Sequence, residues 1–262
     1  MDTPLIPTVP DRSFWASGDP LGEVLHLMRM SGTFYALSEL TAPWGMDLPA
    51  IPDTMMFHFV TEGRCWLEVD GLDPRVLEPG ALALVPHGRG HRLVSEAGGP
   101  AVDLFAIPRE ELSERYELIR HGGGGALTRL VCGAVHFDNP AARQLVEFLP
   151  RLVCVDTWNA TQVEWLHGTL QFMASEARQL RPGGETVITR LADVLVIQTL
   201  RSWLADEAAC GADCEGSWLR AIQDPQIGRA IVLVHRDPAA PWTVQGLAAA
   251  VGMSRSGVAV RF

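Results

Sequence analysis

GALALVPHGRGH, residues 80–91, opens on a short apolar run and closes on a turn that delivers a histidine. ALALV at 81–85 has the length of a strand and is too short for a free-standing helix. Pro86 cannot donate to a central ladder, and Gly88 gives the backbone the freedom a tight reversal needs. Turn signals of the same kind flank this stretch on both sides: Glu62-Gly63, Asp70-Gly71, Glu78-Pro79-Gly80 and Gly98-Gly99. They separate short apolar runs as far as AVDLFAI at 101–107. Short strands this evenly punctuated predict an all-β barrel or sandwich over residues 1–137.

Upstream, FHFVTEGRCWLEVDG (57–71) reads as a hairpin turning at Glu62-Gly63. With that turn, Val60 faces Cys65 and His58 faces Leu67. Period two then gathers His58, Val60, Cys65, Leu67 and Val69 on one face, and Phe57, Phe59 and Trp66 on the other. Both faces are mostly apolar, so both are expected to be covered, with a histidine and a cysteine pointing into a closed interior. His87, beside Pro86, is expected at the rim and in solvent. GGGG at 122–125 lacks the strand-to-helix setting and the following GK[ST] of a phosphate cradle, and reads as a flexible surface loop.

The chain has 262 residues, 47% hydrophobic and 20% charged, with a formal net charge of −10. That is the composition of an ordinary globular protein. A surface that grips nucleic acid throughout is more often basic, so any DNA contact is local or most of the basic surface lies elsewhere. Five widely scattered cysteines make no secreted-type framework and point to a reducing, cytoplasmic compartment. Cys210 and Cys214 form a C-x3-C without the second pair that a zinc site needs. The opening MDTPLIPTVPDRSF is not a signal peptide, and no apolar stretch reaches the roughly 20 residues of a membrane span.

Beyond Asn139 the period becomes helical. In TQVEWLHGTLQFMASEARQL, Thr161 and Glu164 form a capping box. Val163, Leu166, Leu170, Met173, Ala177 and Leu180 then make a narrow seam with alternating spacings of three and four. After an RPGG turn at 181–184, residues 185–204 form a second helix, apolar on more than one face. This predicts a helical pair over 138–212 that also meets its symmetry mate in a homodimer. Residues 205–217 read as a linker, and a helix is expected at 224–238. TVQGLAAAVGMSRSGVAVRF (243–262) fits a helix-turn-helix. Ala248 is small where the helices cross, Gly252 takes the turn, and Leu247, Val251, Met253 and Val258 are buried. Ser254 caps the second helix. The fold class expected is α+β, a β-barrel or sandwich followed by an all-α region.

The spacing G-x5-P-x-G-x2-H at Gly80, Pro86, Gly88 and His91 resembles the second cupin motif. In metal-dependent cupins the resemblance makes that histidine a ligand, with an H-x-H-x3-4-E from the preceding hairpin. Here PAIPDTMMF at 49–57 lacks that pattern. His58, Cys65 and His91 are the replacement candidates, as effector contacts or as ligands to zinc. Taken whole, residues 50 to 262 resemble an AraC-family transcriptional regulator with an N-terminal cupin sensor. The resemblance rests on FHFVTEGRCWL, LEPGALALVPHGRGH, RPGGETVITRLADVLVIQTLRSWL, WLRAIQDPQIGRAIVLVH and PWTVQGLAAAVGMSRS.

That resemblance implies a small-molecule effector in the barrel, a helical dimerisation region, and DNA binding through residues 213–262. It assigns Arg255 and Ser256 to bases, and Ser254 and Arg261 to the DNA backbone. The family also has a second helix-turn-helix, which the chain is expected to lack, so DNA binding is expected to be weak. Gly257 and Val260 stand where the family usually has a helix-former and an arginine. No catalytic residue is assigned, and the rival reading is a metal-dependent cupin enzyme acting on a small molecule.

Overall fold

A computed structural model of the chain describes residues 30–137, 149–155, 160–179, 181–205, 224–237 and 239–261, with isolated positions between them. Contacts divide the chain into two units, Met28–Asp213 and, with Met1–Leu27, Cys214–Phe262. The described strands of the first unit are β1 (Met30–Thr41), β2 (Gly45–Leu48), β3 (Thr54–Glu62), β4 (Cys65–Val69), β5 (Arg75–Leu77) and β6 (Leu82–Val85). They continue with β7 (His91–Val94), β8 (Val102–Asp103), β9 (Arg109–Ser113), β10 (Tyr116–Gly122), β11 (Leu127–Phe137) and β12 (Val153–Val155). Helices α1 (Ala160–Gln179) and α2 (Gly184–Ala205) follow.

The strands form two sheets, β12-β6-β3-β11-β1-β10-β9 and β5-β4-β7-β2-β8. Their facing sides enclose one apolar core that includes Ala36, Leu40, Trp44, Met46, Val60, Cys65, Leu67, Ala83, Leu93 and Cys132. On the opposite side of the larger sheet, Tyr35 stacks on Tyr116 at 5.9 Å and tilts against Phe57 at 6.3 Å, centroid to centroid. Gly133 makes that possible, because a β-carbon there would strike the rings of Phe57 and Tyr35. Helix α2 packs on β1 and β12, and α1 packs on α2.

The expected hairpin at 57–71 does not form. β3 pairs with β11 and β6, whereas β4 pairs with β5 and β7 in the other sheet. The reversal at Gly63, with φ of 69°, carries the chain across the sandwich. His58 therefore lies opposite Cys132 and Ala83, and Leu67 opposite Leu93 and Arg75. The facial partition survives, since a strand that changes sheets keeps its inward residues inward. Val60, Cys65, Leu67 and Val69 all join the inter-sheet core.

The four glycines at 122–125 are less free than their composition suggests. Backbone bonds from Gly123 to Thr41 (2.8 Å) and from Gly125 to Ala42 (2.8 Å) hold this exposed loop against the end of β1. Helix α1 already includes Ala160, so Thr161 is inside the helix and not at its cap. Of the expected seam, Leu166 and Met173 are buried; the side chains of its other four members lie outside the described residues. Most of the expected linker at 205–217 also lies outside them.

In the second unit, α3 (Pro225–Arg236), α4 (Val244–Val251) and α5 (Arg255–Arg261) surround a small core of Ala230, Leu247, Ala248, Val251 and Val258. Asp224 caps α3 by accepting from Gln226 and Ile227, and Thr243 caps α4 by accepting from Gly246. Gly252 ends α4 in the left-handed region at φ of 69°, which frees its amide to satisfy the last carbonyls. The two units together make the α+β chain that the sequence led us to expect.

Candidate functional site

Gly88 sets the geometry of the first site. It occupies the left-handed region at φ of 58°, and the Ile51 carbonyl lies where a β-carbon would be. The turn delivers His91 at the start of β7, buried between the sheets. His58, from the middle of β3, meets it with Nε2 to Nε2 at 2.6 Å and ring centroids 4.8 Å apart. The other nitrogen of His58, Nδ1, lies 3.1 Å from the Cys132 sulfur, and His91 Nδ1 lies 3.2 Å from the Arg89 carbonyl oxygen.

The acceptor chemistry orders the protons. A carbonyl only accepts, so His91 Nδ1 carries a proton, and in neutral His91 the Nε2 must accept. His58 Nε2 is therefore its donor, which leaves His58 Nδ1 to accept from the Cys132 thiol. The result is a one-way relay: Cys132 S–H to His58, His58 N–H to His91, His91 N–H to the Arg89 carbonyl. The electrostatics agree with this all-neutral state. Burial, reinforced by the neighbouring His91, holds His58 well below the usual histidine range. Burial brings His91 down to about 4, against the opposing pull of the Arg89 carbonyl and Asp47. Burial, with Cys65 nearby, pushes the Cys132 thiol up.

His58 and His91 are thus brought together as expected, but the sulfur at His58 belongs to Cys132 and not to Cys65. Cys65 is buried in the core, and burial raises its thiol to about 12. The residues do not fit a zinc centre. Among the described residues, no group of three His, Cys, Asp or Glu side chains is placed to hold a metal ion. His87 is half-buried and donates from Nε2 to the Val146 carbonyl at 3.0 Å, so it is tied down at the rim and not free in solvent.

Two further polar groups enter the sandwich core, and the sequence reading missed both. Ser38 is 2% exposed, between Ala36 and Leu40 on β1, and its hydroxyl therefore shares their inward face. Trp44, 4% exposed, belongs to the same core. Neither the Ser38 hydroxyl nor the Trp44 indole N–H has a hydrogen-bond partner among the described residues. An unmade hydrogen bond on a buried group costs about 1–3 kcal/mol, so each such donor calls for an acceptor.

The second site is the α4–α5 pair. Ser254 accepts from the Gly257 amide at 3.0 Å and caps α5 as expected. Arg255 and Ser256 are exposed. Arg261, expected at a DNA backbone, is drawn onto Asp224 in a close ion pair and also reaches Gln226 at 3.4 Å. It braces α5 against the capped start of α3.

A family model described as a cupin matches residues 19–205. Two Streptomyces proteins described as AraC-like transcription regulators are similar over 93% of this chain. The S. lividans protein is 32% identical over 250 residues and is matched over 77% of its length; the S. antibioticus protein is 32% identical and is matched over 78%. The HTH-type transcriptional regulator AlkR of Acinetobacter baylyi is 25% identical over 246 residues, covering 93% of this chain and 78% of its own.

Proposed function

This chain belongs to the AraC-type transcriptional regulators that carry a cupin domain, and from that premise we propose that it senses a small molecule between its two sheets. The effector is an apolar body with at least one hydrogen-bond acceptor. The observation that carries this is the pair of unmatched donors, Ser38 hydroxyl and Trp44 indole, among the apolar side chains of the sandwich core. His58 and His91 line the same interior and contribute a polar edge whose proton arrangement an entering acceptor would disturb. No catalytic step is assigned to them.

The protein acts in the cytoplasm as a homodimer joined through α1 and α2. DNA is met by α4 and α5, with Ser254 setting the start of α5 and Arg255 and Ser256 reaching the duplex. Among the described residues no helix is long and apolar enough to cross a membrane.

A thermal-shift screen of apolar carbonyl, carboxylate and ether compounds tests the sensing role. A true effector at 100 times its Kd stabilises the folded state by about 2.7 kcal/mol, which raises the melting temperature. Ser38→Ala removes one donor and is expected to weaken the hit by about tenfold, in keeping with a lost hydrogen bond. Equal affinity in the two proteins would place the compound elsewhere.

A further inference from the structure

Val260 is 86% exposed, the most exposed of the large apolar side chains on the described surface. Its position on α5 gives that exposure a direction. Val258, 1% exposed, marks the side of the helix turned into the core. Successive residues are about 100° apart around an α-helix, so Ser256 and Val260 point almost directly away from that core, one above the other. Ala259, also exposed, lies about 100° from Val260, between Ser256 and Arg255. Arg255 and Arg261 lie on the two flanks of Val258, and Arg261 is occupied by Asp224. The centre of the outward face of α5 is therefore small and uncharged, and the other arginine of α5, Arg255, sits at the edge.

We infer that α5 reads a thymine methyl group in the major groove through Val260, with Arg255 placed on the phosphate backbone and not on a base. The inference rests on the reading of α4 and α5 as the DNA-binding pair, and it refines which residues specify sequence. The reasoning is chemical. In the major groove every base edge offers hydrogen-bond donors or acceptors, and thymine alone adds a methyl group that an apolar side chain can cover. A valine on the outward face has no hydrogen bond to offer, so thymine is the base on which it gains most. Ser256, with a hydroxyl that both donates and accepts, tolerates several bases beside it. An arginine on the flank, by contrast, neutralises phosphate at any sequence.

The test begins by selecting duplexes from a randomised pool on the purified full chain. Each thymine of the enriched sequence is then replaced in turn by deoxyuridine, which removes only the 5-methyl group. At one or two positions the affinity is expected to fall about fourfold, the worth of one methyl group taken out of water. Val260→Ser, a change at a solvent-facing position that leaves the fold intact, is expected to bind thymine and deoxyuridine duplexes alike. Arg255→Ala is expected to weaken all sequences equally, to lower the salt dependence by about one counterion, and to keep the methyl sensitivity. If no thymine position responds, or if Val260→Ser responds as the wild type does, the assignment to Val260 is overturned while DNA binding by α5 stands. If no duplex is enriched at all, the DNA-binding reading falls and takes this one with it.

Discussion

His58 and His91 are held as uncharged bases, and that choice makes stability depend on pH. In the unfolded chain a histidine takes up its proton near 6.5, whereas burial holds the folded His91 near 4 and His58 well below the ordinary range. Above about 6.5 both states are neutral at these residues, and their contribution to stability is complete. As the pH falls toward 4 the unfolded state binds protons that the folded state refuses, so stability drops, by at most about 1.4 kcal/mol per pH unit for each histidine. Urea midpoints measured from pH 7 to pH 4.5 are expected to fall steadily. In His91→Gln the slope should be shallower by about one proton's worth, and parallel slopes would show that His91 is not buried neutral. Half of this relay could be read from residue types and spacing alone. Gly80, Pro86 and Gly88 deliver His91, and alternation turns His58 inward. The sulfur could not be read, because a cysteine is chosen by register and not by pattern. Cys65 shares the inward face by period, but Cys132 is the residue that the β3–β11 ladder sets opposite His58.

At the scale of elements, the helical pair presents apolar groups that its own fold leaves uncovered. Trp165 and Phe172 on α1 are 38% and 49% exposed and are seven residues apart, so they share one side of the helix. Val187 and Val194 repeat that spacing and exposure on α2. Leu166 and Met173, one position further along α1, turn inward and are buried. A helix with a buried stripe and a second exposed apolar stripe at the same spacing suits a second copy of itself. Phe172→Glu is expected to convert a dimer to a monomer in sedimentation velocity at micromolar concentration, with the helical circular dichroism unchanged. A monomer in the wild type would remove α1 from the interface. Helical periodicity made these elements legible, because each helix's pattern is written in its own residues: α2 and α3 fall within two residues of the expected bounds. The β3–β4 connection was not legible. Glu62-Gly63 announces a reversal, but whether the chain returns along the same sheet or crosses to the other depends on partners far away in sequence, β11 and β6 for one strand and β7 for the other.

Across the whole molecule, charge is divided unevenly. The formal total is −10, yet the segment from Cys214 to Phe262 holds five arginines against Glu215, Asp224 and Asp237. The acidic excess therefore lies almost wholly in Met28–Asp213, whereas the smaller unit, with Asp2, Asp11, Arg12, Asp19 and Glu23 of Met1–Leu27 included, is close to balance, and its basic surplus is confined to Cys214–Phe262. Repulsion of phosphate is therefore strongest at the unit that carries the sandwich and weakest at the segment Cys214–Phe262. Under the proposed function, communication between an effector in the sandwich and DNA at α5 is a free-energy coupling, and such coupling is reciprocal. A compound that changes DNA affinity by some factor must have its own affinity changed by DNA by the same factor, commonly about 5–150-fold. Titrating a thermal-shift hit calorimetrically, with and without saturating amounts of the selected duplex, measures one factor; DNA titrations with and without the compound measure the other. The two are expected to agree. A compound whose affinity is unmoved by DNA occupies the sandwich without signalling, however tightly it binds, because a ligand with equal affinity for both states shifts neither.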